Sequence, residues 1–458
     1  SREMIVDDAT LDLPVVELTA LLDNGQLTSV ALTEAYLARI AKRAPALNCF
    51  ITVTPERARA DAAKADARRA AGERGPVLGI PYGLKDLIDT AGIATTWGTR
   101  SMLERVPKTD ADVAARLAAA GGVLLGKLHC TELANSFGVE NQEDAHNGAC
   151  RNPWSLDRWA GGSSGGSGAA VAAGLCGFAI GSETLGSIDC PSAFCGVVGL
   201  RPTYDLVSRA GVMTAAYTLD KLGPLTRDAR DARAVLPLIA TQPIEAKQRR
   251  LRVGIADVID PKLSDPALAP LFDKARSILR EIADVQPVTL PEIPTMPATL
   301  TILLAEIRAA FDDFIRAGHI HALYDRQSWA TKEREYLALD LRAEDYIKAT
   351  RVRTQAQQVY RTLFDRFDVL LTPGRPEVAR KLVGYKGAES DAPNSYTTLL
   401  VTGNLIGAPA ITLPIGFSAE SLPLSMHAIG SPYDDDAVLA LAELYQAHTD
   451  FHRKRPPS

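Results

Sequence analysis

The chain has 458 residues, 46% of them hydrophobic and 23% charged, with a formal net charge of −5. This composition belongs to a globular protein and excludes a disordered or fibrous one. The slight acidity supplies none of the electrostatic attraction on which a protein devoted to gripping nucleic acid depends.

The N-terminal SREMIVDDATLDLP has no apolar signal core. Thr28 or Ser29 caps a helix with Leu32, Tyr36, Leu37 and Ile40 on one face. NCFITV, Asn48 to Val53, reads as a strand, and a long Ala/Arg helix runs from about Pro55 to Ala71. GPVLGIPYGLKDLIDTAG then gives loop, short strand and turn. Asp110 is the expected cap of the helix ADVAARLAAAGG, which Gly121 and Gly122 stop, and VLLGK follows as a strand. The weakly polar run Ala169 to Gly181 is shorter than the roughly 20 apolar residues a bilayer span needs. From Leu251 the texture changes: LRVGIAD is strand-like, Pro266 to Ile282 is amphipathic helix, and Leu300 to Tyr360 is almost entirely helical. Strands return at FDVLLTP (Phe367 to Pro373) and APAITLPIG (Ala408 to Gly416), and HRKR, His452 to Arg455, reads as a solvated terminus. Alternating helices and strands predict an α/β fold with a mixed, mostly parallel central sheet covered by helices. The late strands complete the same sheet, so the helical stretch is an insertion and residues 1–458 form one domain.

RWAGGSSGGSGAAVAAG, Arg158 to Gly174, has the composition of a flexible linker at its centre. A tether is flanked by polar low-complexity sequence. Here the glycines run instead into Gly168-Ala169-Ala170-Val171-Ala172-Ala173-Gly174, a helix so poor in bulk that it packs tightly on its neighbours. Its N-terminus would aim N–H groups at the Gly/Ser loop. A nucleotide-binding P-loop needs a lysine after its glycines, and none follows. What remains is a loop whose serines and backbone donors face a reacting group.

A second such loop, GSETLGSIDCPSAFCGVVGLRPT from Gly181 to Thr203, follows the apolar strand Phe178 to Ile180 and precedes a turn at Pro191. A serine leaving a strand beside glycines suits an exposed nucleophile with N–H groups near its Oγ. Taken alone, either loop reads as a buried serine turn. The nucleophile would also need a base. Of the seven histidines only His129 and His146 are near these motifs; His319, His321, His448 and His452 lie in helical or terminal sequence and His427 in a late strand. HCTE sets His129 and Glu132 at helical spacing without a third ligand, and Cys49, Cys130, Cys150, Cys176, Cys190 and Cys195 include no Cys-x-x-Cys pair, so no metal site is expected. Lys85, in GIPYGLKDL, lies in a strand that reads as buried. Desolvation disfavours ammonium, which lets a buried lysine act as a base. Asp86 points to the other face of the strand. A structural, ion-paired lysine is the alternative.

Three segments together, GIPYGLKD with Lys85, GGSSGGSGAAVAAG with Ser163 and GSETLGSI with Ser187, resemble the amidase signature family, whose 24-residue interval between the two serines is kept. GQLTSVALTEAYLARI, GVVGLRPTYDLVSRAGVM and TGNLIGAPAITLPIGF agree as well, so the resemblance covers nearly the whole chain. It implies an α/β/α layered fold with a signature core at about 75–215 and a variable helical substrate-pocket segment at about 296–353. It also implies a Ser–cis-Ser–Lys triad: Ser187 the nucleophile, Ser163 on a cis peptide relaying the proton, Lys85 the neutral base, and Ser164 in support. The oxyanion would meet the N–H groups of Thr184, Leu185, Gly186 and Ser187. Tyr324, Trp329, Tyr336 and Tyr346 are candidate pocket residues, each reading singly as helical core, and Met213 lies near the pocket.

Two positions depart from the family pattern. Leu185 stands where glycine is frequent, which brings a side chain into the site. Asp189 stands two after the nucleophile, where arginine is common, and would remove a structural ion pair. Cys190 and Cys195 read as packing residues. The implied function is cofactor-free cleavage of amide C–N bonds by a cytoplasmic monomer or homodimer acting on a small molecule, with no nucleic acid or membrane partner. The SETLGSI variant and the helical insertion are similar to a branch that includes urethanases, which would make carbamates substrates. The alternative is the glutaminase-like subunit of a tRNA-dependent amidotransferase complex.

Overall fold

In the computed structural model, which describes residues 6–136, 144–323, 341–383 and 394–457, eleven strands join in one sheet. They are β1 (Phe50–Val53), β2 (Pro81–Lys85), β3 (Val123–Leu128), β4 (Phe178–Glu183), β5 (Val198–Arg201), β6 (Lys221–Thr226), β7 (Arg252–Ile255), β8 (Asp284–Pro287), β9 (Val369–Pro373), β10 (Ala410–Phe417) and β11 (Pro423–Gly430). Their order is β1-β3-β2-β4-β6-β5-β10-β11-β9-β7-β8.

The sheet is mixed, as expected, but it is not mostly parallel: six of its ten neighbouring pairs are antiparallel and four parallel, because the late strands return beside β5 by antiparallel pairing and not by parallel crossover. Parallel pairs occupy two flanks, β3-β2-β4 and β9-β7-β8. The centre is antiparallel: β4, β6, β5, β10, β11 and β9 pair in succession that way. Strands β2, β3 and β9 are buried along their whole length, the condition of strands covered on both faces. Because β9 to β11 return to the same sheet as β2 to β4, the helices between β8 and β9 interrupt the sheet's chain order without forming a second sheet.

Among the helices, α1 (Ser29–Leu47) starts where Thr28 accepts the N–H of Ala31 at 3.1 Å, and it buries Leu32, Tyr36, Leu37 and Ile40. The Ala/Arg helix α2 is Pro55–Ala70. Helix α3 (Asp112–Ala119) is capped by Ala111, not by Asp110, whose carboxylate takes the N–H of Ala91 at 2.7 Å instead. Helix α4 (Gly165–Ala172) is wholly buried. Pro191 is not in a turn but in the first turn of helix α5 (Asp189–Cys195), where its missing N–H leaves no hydrogen bond unmade.

Helices α6 (Thr295–Ala310) and α7 (Ala343–Phe364) pack with α8 (Ser395–Ile406) around Ala298, Ile302, Ala356, Tyr360 and Leu399. Tyr346 is half-buried and donates to Glu306 Oε1 at 2.7 Å, whereas Tyr324, Trp329 and Tyr336 lie outside the described residues. The basic terminus is anchored rather than solvated: His452 is buried, and Arg455 donates to the Asp12 carbonyl at 2.8 Å. Among the described residues no helix is long and apolar enough to cross a membrane.

Candidate active site

Lys85 ends β2, and Ser182 lies one residue from the end of its parallel neighbour β4, the two strands being in register with Leu84 opposite Ile180. Their side chains meet at the carboxyl edge of parallel strands, where α/β sheets open their crevices. Lys85 Nζ lies 2.6 Å from Ser163 Oγ and 2.9 Å from Ser182 Oγ. Among the described residues no carboxylate pairs with it, which removes the ion-paired alternative. Burial disfavours its ammonium form and brings its pKa from 10.5 down to about 8, with Cys130, Asp220 and Glu183 opposing only in part. Asp86 lies on the opposite face, where its Oδ2 accepts the N–H of Thr96 at 3.1 Å.

Ser163 is buried, and the peptide bond that joins it to Gly162 is cis. Its neighbour Ser164 donates to the Ser182 carbonyl at 3.1 Å and accepts the Ser182 N–H at 3.2 Å, which ties the Gly/Ser loop to the end of β4. The following helix α4 can approach so closely because it lacks side chains. A Cβ on Gly166 would stand 2.3 Å from His129 N and 2.5 Å from the Cys49 carbonyl oxygen. His129 packs beneath this helix with Nε2 2.8 Å from the Gly148 carbonyl, and burial lowers its pKa to about 4. It bonds to neither serine.

The turn after β4 is held from within by Glu183. Its Oε2 accepts the N–H groups of Ile188 (2.9 Å) and Asp189 (3.0 Å), while Oε1 takes Arg201 Nη1 and Asn404 Nδ2, each at 2.9 Å. Burial alone would raise this carboxyl, but the Arg201 guanidinium outweighs it and the pKa falls to about 2. Thr184 Oγ1 donates to Asp220 at 2.6 Å, fixing the other end of the turn. Gly186 sits at φ +87°, a left-handed conformation that glycine adopts without strain. The N–H groups of Leu185, Gly186 and Ser187 donate to no acceptor among the described residues. The Ser187 carbonyl accepts the Ser164 N–H at 3.3 Å, so the two serine loops abut.

Ser187 is half-buried and lines a cavity of about 380 Å³ together with Gly162, Leu185 and Gly186. Its walls are Trp159 and Phe194 on one side and Leu300, Leu303 and Ile307 of α6 on another, with Arg375, Glu377 and Arg380 among its polar groups. Leu185 therefore does face the site. Met213 lines a neighbouring cavity that shares Thr184 and Ala215 with this one.

Asp189 overturns the expectation that its position loses an ion pair. Its Oδ1 takes Thr412 Oγ1 (2.6 Å) and His427 Nδ1 (3.0 Å), and its Oδ2 takes the Tyr396 hydroxyl and lies 3.4 Å from Arg375 Nε. Burial would raise its pKa, but His427 and Arg375 hold it far below the usual carboxylate range. Two residues of the site, Ser182 and Arg375, escape sequence reasoning. Ser182 lies within GSETLGSI, but the β2–β4 pairing that brings it to Lys85 leaves no local trace.

A family model described as Amidase matches residues 31–439. The chain is 37% identical over 475 residues to the A subunit of the glutamyl-tRNA(Gln) amidotransferase of Roseiflexus sp. (strain RS-1), covering 94% of this chain and 96% of that one. Among solved structures, the native peptide amidase from Stenotrophomonas maltophilia matches with a TM-score of 0.79 and 32% identity over 97% of this chain and 98% of that one. A structure described as an unexpected vestigial protein complex that reveals the evolutionary origins of an s-triazine catabolic enzyme matches with a TM-score of 0.85 and 28% identity, over 97% and 100%.

Proposed function

The chain belongs to the amidase family of hydrolases, and from that premise we propose that it cleaves amide C–N bonds through an acyl-enzyme on Ser187. The observation that carries this reading is the buried Lys85, whose pKa is brought down to about 8 and whose Nζ meets Ser163 Oγ at 2.6 Å, paired with no carboxylate among the described residues. Neutral Lys85 takes a proton from Ser163 as Ser163 takes one from Ser187, whose Oγ attacks the substrate carbonyl. The resulting oxyanion is received by the free N–H groups of Leu185, Gly186 and Ser187, with Thr184 added by family likeness. One such donor is worth about 2.7–4 kcal/mol in comparable sites. As the tetrahedral intermediate collapses, the C–N bond breaks and the proton held by Lys85 returns through Ser163 to the leaving amine. Water, deprotonated along the same route, then hydrolyses the ester on Ser187. Ser164 positions the relay by holding Ser182 and the loop together.

The test is hydrolysis of a panel comprising L-glutamine, aliphatic amides, aryl amides and aryl carbamates, comparing wild type with Ser187→Ala. Loss of at least about 10³-fold in kcat is expected on every amide that wild type turns over; undiminished turnover in the variant removes Ser187 as the nucleophile.

A second reading concerns the setting of this chemistry. A full-length relative at 37% identity carries the name of one component of a glutamyl-tRNA(Gln) amidotransferase, which favours the glutaminase-like role over the carbamate-cleaving branch. In that reading the amide is glutamine, the leaving group is ammonia, and a hetero-assembly replaces the expected monomer or homodimer. The −5 charge is compatible with this, since a partner chain can carry the tRNA contacts. Co-purification with partner chains, and glutamine turnover that rises in their presence, is the expected result; full activity of the isolated chain on non-glutamine amides refutes it.

A further inference from the structure

Arg375 lines the cavity, neither the relay nor the oxyanion turn uses it, and charged and aromatic groups are placed around it. It lies just past the end of β9 with its side chain 22% exposed. Nε stands 3.4 Å from Asp189 Oδ2 and Nη1 stands 3.3 Å from Glu377 Oε1, while the Phe194 and Tyr396 rings lie 5.5 and 5.8 Å from the guanidinium. Two carboxylates and two aromatic rings thus fix the orientation of the planar fork. Its remaining corner, Nη2, donates to no acceptor among the described residues. That corner is only 3.5 Å from where a Cβ on Gly186 would stand. It therefore faces the turn whose N–H groups are free, inside the cavity that Ser187 lines.

We propose that Arg375 is the substrate-binding residue that recognises a carboxylate on the acyl side of the scissile amide, so that the preferred substrates are ω-amides of short carboxylic acids. The geometry sets both features. Nη2 and the free backbone donors open onto one space of about 380 Å³, which confines the anion and the reacting carbonyl to a small molecule, a few bonds apart. The fork's other edges are already turned to Asp189 and Glu377, so the guanidinium does not need to be ordered when substrate arrives. Asp189 is itself satisfied by His427, Thr412 and Tyr396, and it holds the fork while leaving Nη2 for substrate. A charge-assisted bond from Nη2 to a carboxylate would replace water at a corner that is otherwise unpaired.

This inference rests on the acyl-transfer reading above, and its test separates the two. Wild type, Arg375→Gln and Arg375→Lys are compared on glutaramic acid, a five-carbon acid with a terminal amide, and on its neutral match pentanamide. The reading is the ratio of kcat/KM, acid over neutral, which cancels any general loss from misfolding. Wild type is expected to favour the acid, and Arg375→Gln to lower the ratio about 10–100-fold, mainly through KM on the acid, with Arg375→Lys in between. An unchanged ratio in Arg375→Gln overturns the assignment, whatever happens to total activity. Binding of glutarate to Ser187→Ala protein is measured separately by calorimetry. Weaker binding when Arg375→Gln is added supports the anion site independently of which serine is the nucleophile, and equal binding refutes it.

Discussion

Raising the pH from 7 to 9 is expected to increase kcat/KM on a neutral amide about tenfold and then to level off. The perturbation acts on Lys85, which must be neutral to accept the proton from Ser163. With its pKa near 8, the neutral fraction is about 0.09 at pH 7 and about 0.9 at pH 9. An ordinary lysine at 10.5 would instead give about a hundredfold rise over the same interval, with no plateau below pH 10. The two cases differ in slope and in shape, so a continuous assay of ammonia release between pH 6 and 10.5 distinguishes them. Lys221, which burial brings down to about 7, donates to the Leu219 carbonyl and to neither serine, so its titration is not expected to enter the profile. The same shift has a sign in stability. Between about pH 8 and 10.5 the unfolded chain holds a proton on this lysine that the folded chain has released, so stability rises with pH across that window. The full difference is about 3 kcal/mol, absent below pH 8, where both states are protonated. Lys127, also brought to about 8 by burial, adds to the stability slope but not to the rate, since its Nζ bonds to Thr90, Thr95 and the Ile88 carbonyl. A rate that climbs tenfold per pH unit through pH 10 refutes the lowered pKa of Lys85, and one that ignores pH refutes Lys85 as the base.

Glu183→Gln is expected to destabilise the fold by about 3–5 kcal/mol in urea unfolding, because it leaves Arg201 charged, buried and without its carboxylate. It also turns an amide N–H₂ toward Ile188 or Arg201; an unfolding free energy within about 1 kcal/mol of wild type contradicts this account. Gly166→Ala gains about 1 kcal/mol in helix propensity but forces a methyl against the His129 and Cys49 backbones, and a net loss of about 1–3 kcal/mol is expected. A more stable variant would show that α4 does not need its close approach.

Much of the fold was legible because its elements are marked locally. Thr28 caps α1, the buried runs PYGLK and VLLGKL carry no alternation, and the late strands lie where their apolar runs predicted. Strand order was not legible, because the antiparallel centre depends on pairings such as β5 with β10, more than 200 residues apart in sequence. Asp110 failed as a cap for a related reason: its carboxylate had a competing donor, Ala91, brought in by a loop whose path the sequence does not mark. Lys85, Ser163 and Ser187 stood out because each lies in a dense local motif, and the three segments do converge in space. The partners that set their environment do not share this property. Ser182 reaches Lys85 only through strand pairing, and Asp189 is satisfied by Tyr396, Thr412 and His427, all more than 200 residues later.

The Asp189 departure shows what such distance hides. Read locally, an acid where the family commonly has arginine looks like a lost cation and a disturbed site. In the fold the acid has a cation of its own: Asp189 is on α5, and Arg375 comes from the loop after β9. A carboxylate so deeply buried is tenable only with strong donors, and four groups converge on it. Arg375 lies on the cavity wall with one corner free. With Asp189 holding the fork, positive charge stands on the wall of the cavity that Ser187 lines, so discrimination between charged and neutral amides is the property that Arg375 substitutions would change.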